Sequence, residues 1–286
     1  MNTIAKVGVI GAGTMGNGIA QTCAVSGIDV VMVDVADASV ARGMATITGS
    51  LDRLHKKEKI TVADKEAAAK RIVGTTDYAA LGGCDLIIEA ATENEELKVK
   101  ILRQIDALAR PGVIIASNTS SISITRLAAV TSRAEQFIGM HFFNPVPMMT
   151  LVELIRGRRT DDATVAAVEG LAKRIGKTPI VVKNSPGFVV NRILCPMINE
   201  AVFAFQEGLA SAEEIDNGMK LGCGHPIGPL ALADMVGLDV LLAVMEVFYR
   251  DFNDPKYRPA LLLKEMVAAG QLGRKSGRGF YVYPAR

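Results

Sequence analysis

Short runs of β-branched residues alternate with helical stretches along the first two-thirds of the chain. This alternation predicts repeated strand–helix units that build one mainly parallel sheet, and therefore an α/β domain. The predicted strands are Lys6–Ile10, Val30–Asp34, Ile72–Thr75, Asp85–Ala90, Val113–Ser117, Phe137–His141, Thr150–Ile155 and Pro179–Lys183. The predicted helices between them are Met15–Ser26, Ala38–Lys57, Glu95–Ala109, Ile122–Ala129 and Asp162–Ile175.

The pattern changes at Asn184-Ser185-Pro186-Gly187, where an N-cap candidate is combined with a proline suited to the first turn of a helix. The remainder of the sequence is almost wholly helical. Ser211 and Glu214 have the spacing of a capping box, and Leu238–Phe252 and Pro259–Ala269 carry apolar faces with a helical period. We therefore expect two domains, an α/β domain over residues 1–184 and an all-α domain over residues 185–286.

The segment Phe188–Phe205 is apolar on more than one side of its predicted helix. A helix that is apolar all round needs partners on several sides. This predicts a homodimer interface in the second domain. Burial of the helix within its own domain is an equally good interpretation.

Composition excludes some functional classes. The 286 residues are 49% hydrophobic with a formal net charge of +2, which gives no overall bias toward nucleic acid or an anionic membrane, although a local basic patch is compatible with it. No stretch approaches about 18 unbroken apolar residues, and the N-terminus lacks the pattern of a secretory signal, so a cytoplasmic location is expected. The four cysteines are widely spaced and form no C-x-x-C pair, which predicts free and mostly buried thiols.

A G-x-G-x-x-G motif, Gly11 to Gly16, lies directly after the first predicted strand and before an apolar helix. In this context Gly11 makes the tight turn, Gly13 lets the backbone approach a pyrophosphate, and Gly16 allows close packing of helix on sheet. The motif predicts a Rossmann-type dinucleotide site at the helix N-terminus.

Asp34 ends the second predicted strand, about 20 residues after the glycine motif. A carboxylate at this position accepts hydrogen bonds from the adenosine ribose and repels a 2′-phosphate. Val35 and Ala36 follow it, with no adjacent arginine that could bind such a phosphate. NAD is therefore favoured over NADP, although the glycine motif and Asp34 alone also fit a flavin dinucleotide.

His141 is one of three histidines and ends a predicted strand, where we expect a βα-type loop at the ligand side of the sheet. Glu153 lies in the neighbouring strand-like run and needs a partner if it is buried. Paired with His141, it would fix the imidazole tautomer and stabilise the imidazolium. Ser117–Ser121 adds short polar side chains at the same edge. Taken singly, each of these features is more often structural than functional.

Together, these segments resemble the L-3-hydroxyacyl-CoA dehydrogenases, and particularly their bacterial stand-alone members, along nearly the whole chain. The resemblance implies oxidoreductase activity with NAD on a short-chain 3-hydroxyacyl-CoA, such as 3-hydroxybutyryl-CoA, and no metal. The matching segments are Gly11–Gly16, Ile88–Ala90 with Glu93 and Asn94, Ser117–Ser121, Gly139–Pro145, Asn184–Arg192 and Gly273–Tyr281.

The resemblance also implies site residues. His141 would transfer the hydroxyl proton, Glu153 would orient it, and Ser120 and Asn191 would bind the substrate oxygen; with Asn191 in the second domain, the site is expected in a cleft between domains. The implied cofactor residues are Gly11, Gly13, Met15, Gly16, Asp34, Glu93, Lys98, Asn118, Ser120, Asn144 and Lys275. The implied substrate residues are Ser50, Lys57, Ser120 and Asn191.

Some of these assignments have simpler alternatives. Without the resemblance, Lys98 and Lys275 would be interpreted as solvated surface charges, and the basic run Arg53–Lys59 as a solvated helix end. Within that run, His55 and Glu58 leave open which cation contacts a CoA phosphate.

Two other functions also remain open. One is a related dehydrogenase of hydroxy acids or sugar acids, and the other is a non-catalytic NAD-binding protein of the lens-crystallin kind.

Overall fold

The computed structural model describes residues 4–284. The chain forms two compact units, Met1–Ser185 and Pro186–Arg286. Residues 1–3, 285 and 286, which the predicted domain limits include, lie outside the described residues. The described part of the first unit contains the sheet, and that of the second is helical.

One eight-stranded sheet organises the first unit, in the order β3-β2-β1-β4-β5-β6-β7-β8. Neighbouring strands are parallel except for β6 and β7, which are antiparallel. The expected Rossmann-type domain with a mainly parallel sheet is confirmed. The strands are β1 (Lys6–Ile10), β2 (Asp29–Val33), β3 (Ile72–Thr75), β4 (Leu86–Glu89), β5 (Ile114–Ser117), β6 (Phe137–Phe142), β7 (Leu151–Arg156) and β8 (Thr178–Lys183).

Amphipathic helices pack on this sheet. In α2 the buried residues Val40, Gly43, Ile47 and Leu51 recur every three or four positions, so they form one apolar stripe. The stripe joins a core built on buried strand residues such as Val9 and others from β1, β4 and β6. The helices of the first unit are α1 (Thr14–Val25), α2 (Asp37–Lys56), α3 (Val62–Lys70), α4 (Glu95–Leu108), α5 (Ile124–Ala128) and α6 (Asp162–Arg174).

The second unit has its own apolar core, and the expected all-α architecture is confirmed. The capping box is also confirmed, because the Ser211 side chain accepts from the Glu214 backbone N–H and the Glu214 side chain accepts from the Ser211 backbone N–H. Among residues 4–284, no helix combines the length and the apolar character needed to cross a membrane. The helices are α7 (Val190–Gln206), α8 (Ala212–Cys223), α9 (Pro229–Val236), α10 (Leu238–Phe252) and α11 (Leu261–Ala268).

Three local predictions are wrong. Helix α7 begins at Val190 rather than at the proline, because Gly187 and Phe188 have φ angles of 72° and 53°, which are incompatible with a right-handed helix. The loop after β6 leads into antiparallel β7 rather than into a helix. Helices α3 and α9 were not predicted. Helix α3 has a weak apolar face, although the capping box of Thr61 and Asp64 marks its start.

Candidate active site

The register of the parallel strands brings several predicted site segments to one edge of the sheet. Ile10 at the end of β1 pairs with Glu89 at the end of β4, and Glu89 pairs with Ser117 at the end of β5. Ser117 pairs with Gly139 in β6, two residues before His141. Because the carboxyl ends of parallel strands meet at the same edge, the glycine turn, the loops after β4 and β5, and His141 are close neighbours.

The three glycines of the motif meet different surroundings. Gly11 has a φ of 101°, and a Cβ there would lie 2.7 Å from the Ala90 carbonyl oxygen. A Cβ on Gly16 would lie 1.7 Å from the carbonyl oxygen of Gly11. At Gly13, the N-cap of α1, a Cβ would meet no atom of the described chain within 4 Å. Close packing therefore requires the outer glycines, whereas Gly13 leaves open space at a helix N-terminus, which fits a pyrophosphate.

Asp34 is directed toward this turn. Its Oδ2 accepts a hydrogen bond from the Ala12 backbone N–H at 2.8 Å, and its Oδ1 accepts from the Val35 N–H at 2.7 Å. The carboxylate is half-buried and carries its charge beside the glycine turn, which suits a ribose better than a 2′-phosphate. Met15 is partly buried and packs against the core of the unit. The turn and Asp34 therefore fit NAD.

Glu93 connects the loop after β4 to the loop after β5. Its Oε1 accepts hydrogen bonds from the backbone N–H groups of Ser120 and Ser121 and from the hydroxyls of Thr119, Ser120 and Ser121, over distances of 2.8–3.1 Å. One carboxylate oxygen thus holds the segment that carries Ser120. This contact could not be predicted from the sequence, because residues so far apart along the chain become neighbours only in the sheet.

Lys98 is completely buried, and the interpretation of it as a solvated surface charge is wrong. Its Nζ donates to Glu89 Oε2 at 2.6 Å, and the same oxygen accepts from the Ser117 hydroxyl at 2.7 Å. Glu89 Oε1 accepts from the Ala91 backbone N–H at 2.9 Å. The sequence contained a signal for Glu89 that was missed: it is an acid in an apolar strand, as Glu153 is. The predicted contact of Lys98 with the cofactor stays a prediction.

His141 and Glu153 face each other across the antiparallel pair β6/β7, where they are direct register partners. Side chains opposite each other on antiparallel strands project from the same face, which brings His141 Nδ1 to 2.7 Å from Glu153 Oε2. Both residues are buried, and the His141 ring packs against Phe143 with the ring centroids 4.5 Å apart. Since a carboxylate can only accept, Nδ1 carries the hydrogen of this contact. Nearby, Asn118 Oδ1 accepts from the Phe142 N–H at 2.9 Å and fixes this part of β6.

A cavity of about 480 Å³ lies in the same unit. It is lined by α1, by the C-terminal half of α2 with the residues that follow, and by residues 144–148, the loop after β6 that includes Asn144. Ser50 and Lys57, the predicted CoA residues, both line it. The cations on its wall are Arg53, Lys57 and Lys59.

The remaining predicted residues belong to the second unit. Asn191 lies in the first turn of α7 and is partly buried. Lys275 lies in a short 3-10 turn, Arg274–Ser276, where its Nζ donates to Asp239 Oδ2 at 2.6 Å. Both partners of this ion pair are well exposed.

A dinucleotide cradle beside a buried histidine–carboxylate pair defines the class of an NAD-dependent oxidoreductase. Two family models cover the chain: the 3-hydroxyacyl-CoA dehydrogenase NAD-binding domain matches residues 6–185, and the 3-hydroxyacyl-CoA dehydrogenase C-terminal domain matches residues 187–283. The chain therefore belongs to the 3-hydroxyacyl-CoA dehydrogenase family.

Individual relatives agree with this assignment. The chain is 54% identical over 280 residues to a 3-hydroxybutyryl-CoA dehydrogenase of Bradyrhizobium diazoefficiens, which covers 98% of this chain and 96% of the relative. It is 50% identical over 278 residues to a protein of the same name from Clostridioides difficile, and the alignment covers 97% of this chain and 99% of the relative. The crystal structure of (S)-3-hydroxybutyryl-CoA dehydrogenase from Ralstonia eutropha is 71% identical, with a TM-score of 0.98 and coverage of 99% and 100%.

Proposed function

We propose that the protein interconverts (S)-3-hydroxybutyryl-CoA and acetoacetyl-CoA with NAD. The observation that carries the proposal is the buried His141–Glu153 pair, with Nδ1 and Oε2 2.7 Å apart, at the sheet edge that also holds the glycine turn. The names of the relatives support the choice of substrate.

His141 is the proton-transfer residue in this proposal. In the oxidation direction its Nε2 accepts the proton of the substrate 3-hydroxyl, and in reduction it returns that proton to the oxygen. Glu153 keeps the hydrogen on Nδ1 and stabilises the imidazolium that forms. Because Glu153 is fully buried, its attraction for the imidazolium is weakly screened by water.

Bound at this site, NAD would supply the acceptor for the hydride of the carbon that carries the hydroxyl, and NADH would supply the hydride for the reverse reaction. The glycine turn with Met15 holds the pyrophosphate at the N-terminus of α1, and Asp34 accepts from the adenosine ribose. Glu93, Lys98, Asn118, Asn144 and Lys275 complete the proposed cofactor set.

Ser120 and Asn191 donate hydrogen bonds to the substrate oxygen and polarise the carbonyl for reduction. For this step the Ser120 hydroxyl turns its hydrogen from Glu93 to the substrate. Glu93 keeps its remaining donors from residues 119–121, so the loop stays in place while the hydroxyl turns.

Ser50 and Lys57 contact the CoA part of the substrate from the wall of the cavity. A strongly anionic 3′-phospho-ADP group is complementary to the Arg53, Lys57 and Lys59 side chains. The homodimer through the second unit and the cytoplasmic location stay predictions.

The proposal is tested by NADH oxidation with acetoacetyl-CoA, free acetoacetate and longer 3-ketoacyl-CoA thioesters, and by NAD reduction with gulonate, which is already a hydroxy acid. We expect turnover of the thioesters and little turnover of the free acids. Efficient NAD reduction with gulonate would favour a sugar-acid dehydrogenase. NAD binding without NADH oxidation for any acyl-CoA would favour the non-catalytic alternative.

A further inference from the structure

Gln21 is a buried polar residue of α1 that the proposed mechanism does not use. The residue is 2% exposed and lines the cavity of about 480 Å³. Its Nε2 has no hydrogen-bond partner among the residues that the structure describes. Buried amides normally find partners, since an unpaired one loses its hydrogen bonds to water without replacement. A partnerless amide on a cavity wall points to a partner supplied by the ligand.

The position of this amide is well defined by its surroundings. Thr14, Asn17, Gly18 and Gln21 follow the spacing of one helix face, and all four line the cavity. Next to them the loop after β6 packs tightly, because a Cβ on Gly18 would lie 2.9 Å from Val146 Cβ.

Lys177 fixes that loop through two hydrogen bonds. Its buried Nζ donates to the carbonyl oxygens of Val146 at 2.5 Å and Met149 at 2.8 Å. The part of the cavity wall that contains Gln21 is therefore held in place by helix α1 and by the loop after β6, which Lys177 fixes.

The rest of the cavity wall indicates what kind of group would meet Gln21. The cations come from the end of α2 and the residues that follow it, whereas Leu54, Pro145, Val146 and Met148 contribute apolar surface. Phosphates would bind the cations. An uncharged chain with amide groups separated by methylene carbons suits an apolar wall that offers one amide. The pantetheine arm of CoA is such a chain.

We propose that Gln21 hydrogen-bonds an amide of the pantetheine arm, which makes it a specificity residue for the thioester carrier and not for the acyl group. The inference rests on the proposed function, in which a CoA thioester is the substrate. A half-turn of the terminal amide exchanges its oxygen and nitrogen, so Gln21 offers either a donor or an acceptor to the arm.

The test uses Gln21→Leu and three thioesters of acetoacetate: the CoA thioester, the pantetheine thioester and the ethyl thioester, which lacks both amides of the arm. We expect kcat/KM to fall about threefold to tenfold for the first two, as for the loss of one neutral hydrogen bond, and to stay unchanged for the third. The loss should be in KM, with kcat and the KM for NADH unaltered.

Two further variants provide matched controls. Thr22→Val changes the next residue of α1, whose hydroxyl is satisfied by the Gly18 carbonyl oxygen at 2.8 Å and which does not line the cavity, so the ratios between the three thioesters should not change. Lys57→Ala should raise the KM for the CoA thioester and leave the KM for the pantetheine thioester unchanged. Gln21→Met, of nearly native length, should repeat the result of Gln21→Leu and guards against a folding defect in one variant.

Several outcomes overturn the inference. An equal fall in kcat/KM with the ethyl thioester would show that Gln21 has a structural role. A fall with the CoA thioester alone would show that the contact is with the nucleotide half of CoA. Unchanged kinetics of both Gln21 variants, with normal wild-type turnover, overturn this inference and leave the proposed function intact. If the wild-type protein oxidises no NADH with acetoacetyl-CoA, both fail.

Discussion

Two buried carboxylates, Glu89 and Glu153, lie in the same sheet and differ in the partner that each one has. Glu89 is paired with Lys98 and also accepts hydrogen bonds from the Ser117 hydroxyl and the Ala91 backbone N–H. Glu153 is paired with His141, whose charge depends on protonation. The Lys98–Glu89 pair joins a cation to a carboxylate, whereas the imidazole of the His141–Glu153 pair has a second ring nitrogen that takes up a proton in the proposed reaction. Both acids are buried, so burial of an acid does not by itself mark a catalytic site.

The largest expected effect is on the His141–Glu153 pair. In His141→Asn the amide can still donate to Glu153, so the pair keeps a hydrogen bond but loses its proton acceptor. We expect kcat to fall about a thousandfold, with the dissociation constant for NAD and the free energy of unfolding nearly unchanged. Steady-state kinetics, calorimetry and urea unfolding measure these quantities. A comparable loss of NAD affinity would contradict the role of His141 as an acid and base.

The Lys98–Glu89 pair should respond in the opposite way. Lys98→Met leaves the Glu89 carboxylate buried without its cation, and we expect the free energy of unfolding to fall by about 3 kcal/mol. The double variant Lys98→Met/Glu89→Leu should regain most of this loss, because neither charge is then buried. If Lys98→Met unfolds at the wild-type urea concentration, the Lys98–Glu89 pair does not stabilise the sheet and the contrast between the two pairs disappears. The NAD affinity of the same variant tests the proposed cofactor role of Lys98 separately.

Glu93 is a third carboxylate. It is more exposed than Glu89 and Glu153, and it holds the loop of residues 119–121 in place. Glu93→Gln keeps the size of the side chain but removes the charge that orders Ser120 and its neighbours. We expect kcat at saturating NADH to fall about tenfold, as for the weakening of charge-assisted hydrogen bonds. The competing role, a ribose contact alone, predicts a raised dissociation constant for NAD and an unchanged kcat.

The smallest expected effect is on thiol labelling, which tests whether the buried cysteines stay protected from solvent in each variant. Burial raises the pKa of Cys84 to about 11 and the pKa of Cys195 to about 12, and Cys23 is fully buried, whereas Cys223 is exposed. Near pH 8, a thiol with a pKa of about 11 is ionised in about one molecule in a thousand. We expect one rapidly labelled cysteine in the wild type and in His141→Asn.

In Lys98→Met, slow labelling of Cys23 and Cys84 should accelerate, because both belong to the destabilised unit. Equal labelling rates in the two variants would show that the Lys98 pair does not stabilise the sheet.

Most of the elements could be predicted from the sequence because their signals are local. The strands Lys6–Ile10 and Ile72–Thr75 and the helix Leu238–Phe252 have the predicted bounds, since apolar period and flanking residues lie within a few positions of each other. The prediction of free, mostly buried cysteines is likewise confirmed. The start of α7 was wrong because the left-handed conformation of Phe188 is imposed by its surroundings and not by its own preference.

The residues of the candidate site were likewise predictable only where their sequence signals are local. The sequence identified the glycine turn and Asp34 because their spacing within one strand–helix–strand unit carries the information. It did not reveal that Glu93 holds the Ser120 loop, that Lys98 is buried, or that Gln21 lacks a partner within the described chain. Each of these depends on which atoms from distant segments approach one side chain.

The sequence by itself determined the strand–helix alternation, the dinucleotide motif and the residue types available for acid–base chemistry, because these are set by local patterns. Only the tertiary structure decided that β7 runs against β6 with Glu153 opposite His141, and that Glu89 takes Lys98. The physical reason is that strand direction and register follow from the packing of the whole sheet. The charge partner of a buried acid is then the group that this packing brings within hydrogen-bond distance.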